Sequence, residues 1–201
     1  EVLGLARDTG IPFLEIRSLG GNMDLPAYFE AYDQPTGKVR QVMEASGVGV
    51  LCLNTSFRLT KEGGREALLN YASWAETLGV PYLRVFGGGK WGEPLDQAAL
   101  QQARTNHAWW LQEKKRRAWR VDVLLETHDA FSSGSVCQIL QDALESPLDL
   151  IWDTHHTWKK AGEDLRESWE DMREDTLAVH IKDSISVPSA RHPFTYVTIG
   201  Q

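Results

Sequence analysis

The sequence has little cysteine and no long apolar run. Its 201 residues include two cysteines, Cys52 and Cys137, and neither belongs to a C-x-x-C pair or a disulfide framework. Both lie in apolar segments, so we expect buried free thiols in a reducing compartment. No apolar stretch reaches the roughly 18 residues of a membrane span, and no signal peptide is visible. These absences predict a cytoplasmic protein that does not contact a membrane.

The sequence also lacks a basic excess and the glycine motifs of nucleotide-binding loops. The net charge is −7 and the isoelectric point is about 5.4, whereas nonspecific nucleic-acid binding needs a basic face. The basic run at 114–117 lies in a helix-like segment and is typical of a solvated helix face. The glycines at 87–89 match neither G-x-G-x-x-G nor the P-loop pattern, which favours a flexible rim loop. We therefore expect no nucleic-acid partner.

Short apolar segments alternate with longer amphipathic segments along the whole chain. This alternation predicts a parallel sheet with right-handed crossovers in one domain over residues 1–201. Glycines at 10, 47 and 79 mark helix ends. The predicted helices lie near 36–46, 63–78, 95–119, 134–145 and 162–174. The predicted strands are 11–17, 49–54, 81–86, 121–128, 149–154 and 177–183.

Two α/β architectures fit this pattern: an open doubly wound sheet and a closed (β/α)8 TIM-type barrel. Read with a period of two, five strands carry ionisable groups on one face only, mostly near their C-terminal ends. A strand covered by helices on both faces would be apolar on both. In a barrel the outer face packs against helices, and the interior opens into a site at the C-terminal rim. The pattern therefore favours the barrel.

The strand count predicts that the barrel is incomplete in this chain. Six strands are evident, so the first and eighth strands of a barrel would lie outside the sequence. The chain has no initiator methionine and opens in a helix-like segment, and its end, F-T-Y-V-T-I-G-Q, resembles a loop that enters a helix. We therefore expect a single barrel domain that lacks parts at both ends.

Three strand ends carry residues of the kind that bind metals: Glu126 in L-L-E-T-H-D, Asp153 in I-W-D-T-H-H and His180 in V-H-I-K-D. Divalent cations such as Mg²⁺, Mn²⁺ and Zn²⁺ accept carboxylate oxygens together with imidazole. Side chains at the ends of successive barrel strands would converge above the barrel axis. The alternative is a set of buried polar groups that pair with one another.

These three motifs, in this order and spacing, resemble the xylose isomerase-like superfamily of sugar-phosphate isomerases and epimerases. The resemblance covers roughly residues 1–201, and D-x-x-H and H-x-K-D are its most specific motifs. It implies a (β/α)8 barrel with one divalent metal (Mn, Mg or Zn, with Co as a further candidate), held by Glu126, Asp153 and His180. A fourth ligand, a glutamate of the eighth strand, has no counterpart in this sequence.

Further residues are predicted to contact a substrate. The resemblance implies this role for His156, three residues after Asp153, and assigns none to His155, which we expect in a partly exposed loop. His128 shares a strand face with Glu126, and Lys182 shares one with His180, where it could stabilise an anion or extend to the rim. Glu15 and Arg17 could pair with each other or contact the substrate, and Arg84 is a weaker candidate. Trp91 could stack on a sugar.

The function implied is a metal-dependent isomerase or epimerase that acts on a sugar or a sugar phosphate. The metal would polarise adjacent oxygens and stabilise an enediolate, and Glu126 would abstract the proton beside the carbonyl. A related lyase of the inositol-ketone dehydratase type, an endonuclease-type phosphodiesterase and a non-catalytic sugar-binding barrel are the alternatives. Six histidines leave few ligands for the three metals of the endonucleases. The partner is a small molecule, and a homo-oligomer is compatible with the sequence.

Overall fold

The computed structural model of the chain describes residues 1–34 and 37–201. Strands and helices alternate along it as the hydrophobic periodicity predicts. Each predicted strand is present, with bounds that move by up to four residues. The strands are β1 (Phe13–Ile16), β2 (Gly49–Arg58), β3 (Tyr82–Phe86), β4 (Asp122–Glu126), β5 (Leu150–Asp153), β6 (Thr176–His180), β7 (Asp183–Ile185) and β8 (Thr195–Val197).

The predicted helices are also present, and several short elements were not predicted. The predicted helix 36–46 begins at Lys38 in the structure, and residue 36 lies outside the described residues. The helices are α1 (Val2–Asp8), α2 (Leu25–Tyr32), α3 (Lys38–Ser46), α4 (Arg65–Leu78), α5 (Gln97–Arg117), α6 (Gly134–Ala143) and α7 (Leu165–Met172), with a 3₁₀ turn at Asp129–Ser132 and a π-helix at His156–Ala161.

Helix α2 was not predicted, although the sequence contains its start signals. Asp24 is its N-cap, and an Asp24 side-chain oxygen accepts a hydrogen bond from the Ala27 amide at 3.2 Å. Pro26 lies in the first turn, where a missing amide hydrogen costs nothing. Helices α3 and α4 end as predicted at Gly47 (φ 68°) and Gly79 (φ 72°), because glycine adopts the left-handed conformation without strain.

The six longer strands form one sheet in the order β1-β2-β3-β4-β5-β6, with parallel pairing. This sequential order is the one that strand–helix–strand crossovers produce. The remaining two strands, β7 and β8, form an antiparallel hairpin. The prediction of a loop entering a helix at 194–201 was therefore wrong over Thr195–Val197. Its three residues T-Y-V are β-prone, but only pairing with Asp183–Ile185 makes them a strand.

The chain divides into two compact units. The first comprises Glu1–Phe57, Glu62–Val85 and Trp109–Leu124, and its fully buried side chains include Leu25, Phe29, Leu53 and Leu83. The second comprises Arg58–Lys61, Phe86–Ala108 and Leu125–Gln201. Its core includes Leu125, Phe131, Leu140, Leu150 and Ile151. The three predicted metal ligands all belong to the second unit.

The faces of the strands differ in burial between the middle of the sheet and its edge. Strand β5 is buried along its whole length. In β6, by contrast, Leu177 is 49% exposed and Val179 45% exposed. The expectation that the outer strand face packs against helices is therefore wrong for β6, the last strand in the sheet order.

The glycines after β3 and the two thiols are explained by close packing. A Cβ atom at Gly87 would lie 1.9 Å from a ring carbon of Phe131, so the glycine permits contact with a protein side chain. Both cysteines are free and buried, as predicted. The Cys137 thiol donates a hydrogen bond to the Phe131 carbonyl at 3.4 Å, and burial raises the pKa of Cys137 to about 12. No helix of the described residues is long and apolar enough to cross a membrane.

Candidate metal centre

Three strand ends place the predicted metal ligands side by side. Glu126, Asp153 and His180 are the last residues of β4, β5 and β6. In the parallel register Asp153 lies directly opposite His180, and Glu126 lies opposite Ile151. Because parallel strands end at the same edge of the sheet, their terminal side chains share one site. This is the arrangement that the strand periodicity predicts.

Among the residues that the structure describes, a set of potential metal donors consists of Glu126, Asp153 and His156. One donor atom from each lies within 4.8 Å of the other two, and all three side chains are buried. Two carboxylates and one imidazole are a donor set that Mg²⁺, Mn²⁺ and Zn²⁺ accept. The buried charges need either a cation or mutual partners, so the chemistry of this set fits a divalent metal.

His156 is held in a fixed orientation beside Asp153. Its backbone amide donates to Asp153 Oδ1 at 3.1 Å, and its Nδ1 lies 3.0 Å from the Thr127 carbonyl oxygen and 3.3 Å from Asp153 Oδ2. With Nδ1 donating to the Thr127 carbonyl, Nε2 is the ring nitrogen that carries the lone pair. Burial lowers the pKa of His156, the Asp153 carboxylate partly opposes this, and the Lys182 charge adds to it.

His180 and Lys182 supply mutual partners for the two carboxylates. His180 Nδ1 lies 3.7 Å from Glu126 Oε1, and the His180 side chain is 25% exposed. The Lys182 ammonium contacts Asp153 Oδ2 and lies 3.4 Å from His156 Nε2. The polar groups therefore do pair with one another, as the alternative to a metal site requires. Lys182 also provides a positive charge beside the donor set.

His128 belongs to the same cluster, and its neighbour Asp129 has an unusual backbone conformation. The His128 ring lies 4.7 Å from the Phe86 ring and 4.6 Å, edge-on, from the His156 ring. Asp129 has a φ of 55°, a left-handed value that non-glycine residues rarely adopt. Asp129 Oδ1 lies 2.9 Å from His128 Nδ1, and this contact lowers the pKa of Asp129.

His155 has a structural environment, and the expectation of a partly exposed loop residue was wrong. Its side chain is buried, and its Nε2 lies 2.9 Å from Ser184 Oγ. The rings of Phe194 and Tyr196 lie 4.9 and 5.1 Å away. The β7–β8 hairpin thus covers this histidine, and the failure to predict the hairpin explains the error. Burial lowers the pKa of His155.

Three other predicted contact residues belong to the first unit and have partners there. Glu15 accepts a hydrogen bond from Asn54 Nδ2 at 3.2 Å. Arg17 donates to the Asn54 carbonyl at 3.2 Å and to Ser56 Oγ at 2.8 Å. Arg84 is buried and donates to the Thr55 carbonyl at 2.8 Å. Their roles in substrate binding stay predictions.

Sequence reasoning missed two residues near the site. Thr127 is fully buried, and its hydroxyl accepts a hydrogen bond from the Asp153 amide at 2.7 Å. Lys160 lies on the π-helix and interacts electrostatically with Asp153 and Glu126. A buried threonine directly after Glu126 could have been read from the strand pattern. Lys160 had no such signal, because a π-helix cannot be read from periodicity.

A family model described as xylose isomerase-like TIM barrel matches residues 3–201. The chain belongs to the xylose isomerase-like TIM barrel family. This match confirms the resemblance drawn from the three motifs and the predicted TIM-barrel fold class. The chain contains six parallel strands of that fold. No curated protein sequence matches the chain.

Solved structures of the same fold cover most of the chain. The probable 3-DHS dehydratase AsbF from Bacillus anthracis is 18% identical, with a TM-score of 0.69 over 91% of this chain and 67% of that one. The IOLI protein, solved with a zinc atom, is 17% identical, with a TM-score of 0.66 over 92% and 68%. D-allulose 3-epimerase from Methylomonas sp., in complex with D-allulose, is 16% identical, with a TM-score of 0.67 over 89% and 64%. At these identities the likeness shows the fold.

Proposed function

We propose that this xylose isomerase-like barrel is a metal-dependent isomerase or epimerase of a sugar or sugar phosphate. The observation that carries the proposal is the buried group of Glu126, Asp153 and His156, whose donor atoms lie within 4.8 Å of one another at the ends of parallel strands. The zinc in the IOLI structure and the D-allulose in the epimerase structure support it from proteins of the same fold.

Glu126 and Asp153 are the proposed carboxylate ligands, and His180 is the proposed imidazole ligand. His156 is then the substrate contact, since its Nε2 lone pair can accept a hydrogen bond from a hydroxyl group. His156 competes with His180 for the role of imidazole ligand, because a donor atom of His156 lies within 4.8 Å of donor atoms of Glu126 and Asp153. Substitution separates the two: His180→Ala should weaken Mn²⁺ binding at least about tenfold, and His156→Ala much less. The reverse order would assign the ligand role to His156.

The proposed reaction is proton abstraction from a carbon next to a carbonyl group. A divalent cation, when bound, would supply Lewis acidity that makes this proton more acidic. Glu126 is the proposed base, because a carboxylate buried at the site can take the proton. The Lys182 ammonium stabilises negative charge that develops on a substrate oxygen. His128 and His156 position the substrate hydroxyl groups.

A lyase of the dehydratase type is the second candidate, because it begins with the same proton abstraction. The similarity to the probable 3-DHS dehydratase supports it. A three-metal phosphodiesterase and a non-catalytic sugar-binding barrel remain further alternatives. Metal content distinguishes them: one ion per chain fits the isomerase or the lyase, three zinc ions fit the phosphodiesterase, and none fits the binding protein.

The decisive experiment combines metal binding with proton exchange. Purified protein is titrated with Mn²⁺, and then incubated with a panel of ketoses in D₂O. The proposal expects one ion per chain and deuterium beside the carbonyl of at least one ketose. Asp153→Asn should abolish both, whereas Asp142→Asn, an exposed residue of α6, should change neither. Full metal occupancy in Asp153→Asn would overturn the site assignment.

A further inference from the structure

A cleft beside the candidate metal centre contains a cation and an aromatic ring that the proposed reaction does not use. The cleft has a volume of about 360 Å³, which is the size of a small-molecule site. Trp91, Pro94 and Ser133 line it together with Lys160. All of these residues belong to the second unit, which also contains Glu126 and Asp153.

Lys160 is the charged group that links this cleft to the metal centre. It lies four residues after His156 on the π-helix, is partly buried, and interacts electrostatically with Asp129, Asp153 and Glu126. Burial lowers the pKa of Lys160, and the charge of Lys182 lowers it further, while the carboxylates oppose the shift. Lysine recognises phosphate and carboxylate groups as a compact point charge.

The two carboxylates of the cleft already have partners. Glu163 Oε2 accepts hydrogen bonds from the Gly134 amide at 2.9 Å and from Ser168 Oγ at 2.7 Å, so it caps the start of α6. Glu93 Oε1 forms an ion pair with Lys90 at 3.2 Å. Neither of these two carboxylates is paired with Lys160, whose electrostatic partners are Asp129, Asp153 and Glu126.

Trp91 gives the same cleft a flat apolar wall. Its side chain is 56% exposed, although large aromatic residues usually bury most of their surface. It follows the glycines at 88 and 89, whose φ values of 93° and 76° favour glycine. A ring held at the mouth of a cleft can pack against the carbon skeleton of a ligand.

We propose that this cleft binds the remote end of the substrate, and that this end carries an anionic group, phosphate or carboxylate, which Lys160 recognises while Trp91 packs against the adjoining carbons. This rests on the proposed function, because it assigns the substrate class of the same site. The reacting carbons lie at Glu126 and Asp153, and the charged end lies toward Lys160. The substrate is therefore a sugar phosphate or a sugar acid.

The test compares charged and neutral sugars as probes without turnover. Binding of D-fructose 6-phosphate and D-fructose, and of D-glucuronate and D-glucose, is measured by calorimetry in EDTA. Wild-type protein should bind one charged probe at least about tenfold more tightly than its neutral counterpart. A preference for the phosphate identifies a sugar phosphate, and a preference for glucuronate identifies a sugar acid.

Three variants test whether Lys160 causes the preference for charged probes. Lys160→Met should reduce it to less than about threefold, and Lys159→Met should leave it unchanged, because Lys159 packs over the Trp158 ring at 3.8 Å. Trp91→Ala should weaken charged and neutral probes alike and keep the ratio. No preference in wild-type protein, a preference that persists in Lys160→Met, or an equal loss in Lys159→Met would overturn the proposal.

Metal titration keeps this result separate from the proposed function. Lys160→Met should bind Mn²⁺ at least as tightly as the wild type, because it removes a positive charge that interacts with Asp153 and Glu126. Mn²⁺ binding by the variant also shows that it is folded. If the wild type does not bind Mn²⁺, the metal-dependent reaction is overturned, while the proposal of an anion site still stands. A wild type that binds Mn²⁺ but shows no anion preference would overturn the anion site alone.

Discussion

Lys182 and a bound metal ion would contact the same oxygen atom of Asp153. Its ammonium group contacts Asp153 Oδ2, and the Asp153 side chain is fully buried. In the absence of metal, this contact supplies the counter-charge for a carboxylate that would be costly to bury alone. A metal bound to Asp153 would supply the same charge. Lysine and metal are therefore competing partners for one oxygen.

The substitution Lys182→Met should destabilise the metal-free protein more than the metal-loaded protein. We expect the free energy of unfolding in EDTA to fall by about 1–3 kcal/mol, below the value for a fully buried pair because the lysine is partly exposed. Saturating Mn²⁺ should recover at least half of that loss, as measured by urea denaturation. Lys159→Met is the control, with a change within about 0.5 kcal/mol. An equal loss with and without Mn²⁺ would contradict the competition.

At the scale of elements, two neighbouring strand ends are connected through one threonine. The Thr127 hydroxyl accepts from the Asp153 amide, and the Thr127 carbonyl lies 3.0 Å from His156 Nδ1. Thr127 directly follows β4, while Asp153 ends β5 and His156 begins the π-helix. The positions of both ligand candidates therefore depend on the residue after Glu126.

The substitution Thr127→Val should lower stability and metal affinity together. It leaves the buried Asp153 amide without its acceptor, which costs about 1–3 kcal/mol. We expect this loss in urea denaturation, together with weaker Mn²⁺ binding by calorimetry. Thr127→Ser, which keeps the hydroxyl, should restore most of the metal affinity. Thr77→Val, at an exposed position of α4, is the matched control. Unchanged Mn²⁺ binding in Thr127→Val would show that the hydroxyl does not position Asp153.

Two glycine-to-alanine substitutions should have opposite effects on stability. Gly87→Ala places a Cβ 1.9 Å from the Phe131 ring, and overpacking of a buried ring should cost about 1–3 kcal/mol or more. Gly4→Ala lies within α1 and meets no atom within 4 Å. It should stabilise by up to about 1 kcal/mol, because alanine is the better helix former. Thermal unfolding of both variants checks the two signs, and a neutral Gly87→Ala would disprove the close packing.

Strong periodicity made some elements predictable, and contacts distant in sequence determined the others. Strands β4, β5 and β6 could be read because each is a short apolar run that ends in Glu126, Asp153 or His180, so the positions of these three predicted ligands at strand ends could be read as well. The hairpin of β7 and β8 could not be predicted from the sequence, because its three-residue strands form only through pairing with each other. The burial of His155 depends on that hairpin. A π-helix leaves the hydrophobic periodicity of the sequence almost unchanged, so the position of Lys160 near the site could not be predicted.

At the scale of the whole molecule, the outer face of β6 is an exposed apolar surface. Leu177 and Val179 of β6, the last strand of the sheet order, are 49% and 45% exposed, and Ile181, directly after the strand, is 64% exposed. Exposed apolar edge strands are sites of self-association. We expect the 201-residue chain to associate at high protein concentration through this face.

Val179→Lys should reduce that association. A lysine on the exposed face of an edge strand opposes strand-to-strand contact. Sedimentation velocity at increasing concentration should show a smaller associated fraction for this variant than for the wild type. Val42→Lys is the control, since Val42 is 42% exposed on helix α3 and should leave the association unchanged. Equal association of wild type and Val179→Lys would exclude β6 as the contact.

The reactivity of the buried Cys137 thiol can be used to measure local opening of the structure around α6. A thiol whose pKa is raised to about 12 is almost entirely protonated at neutral pH, and only the thiolate reacts with disulfide reagents. Cys137 can therefore be labelled only when α6 separates from Phe131, the residue that also packs on Gly87. Labelling rates with and without Mn²⁺ or a sugar would measure, in real time and without turnover, whether ligands slow the separation of α6 from Phe131.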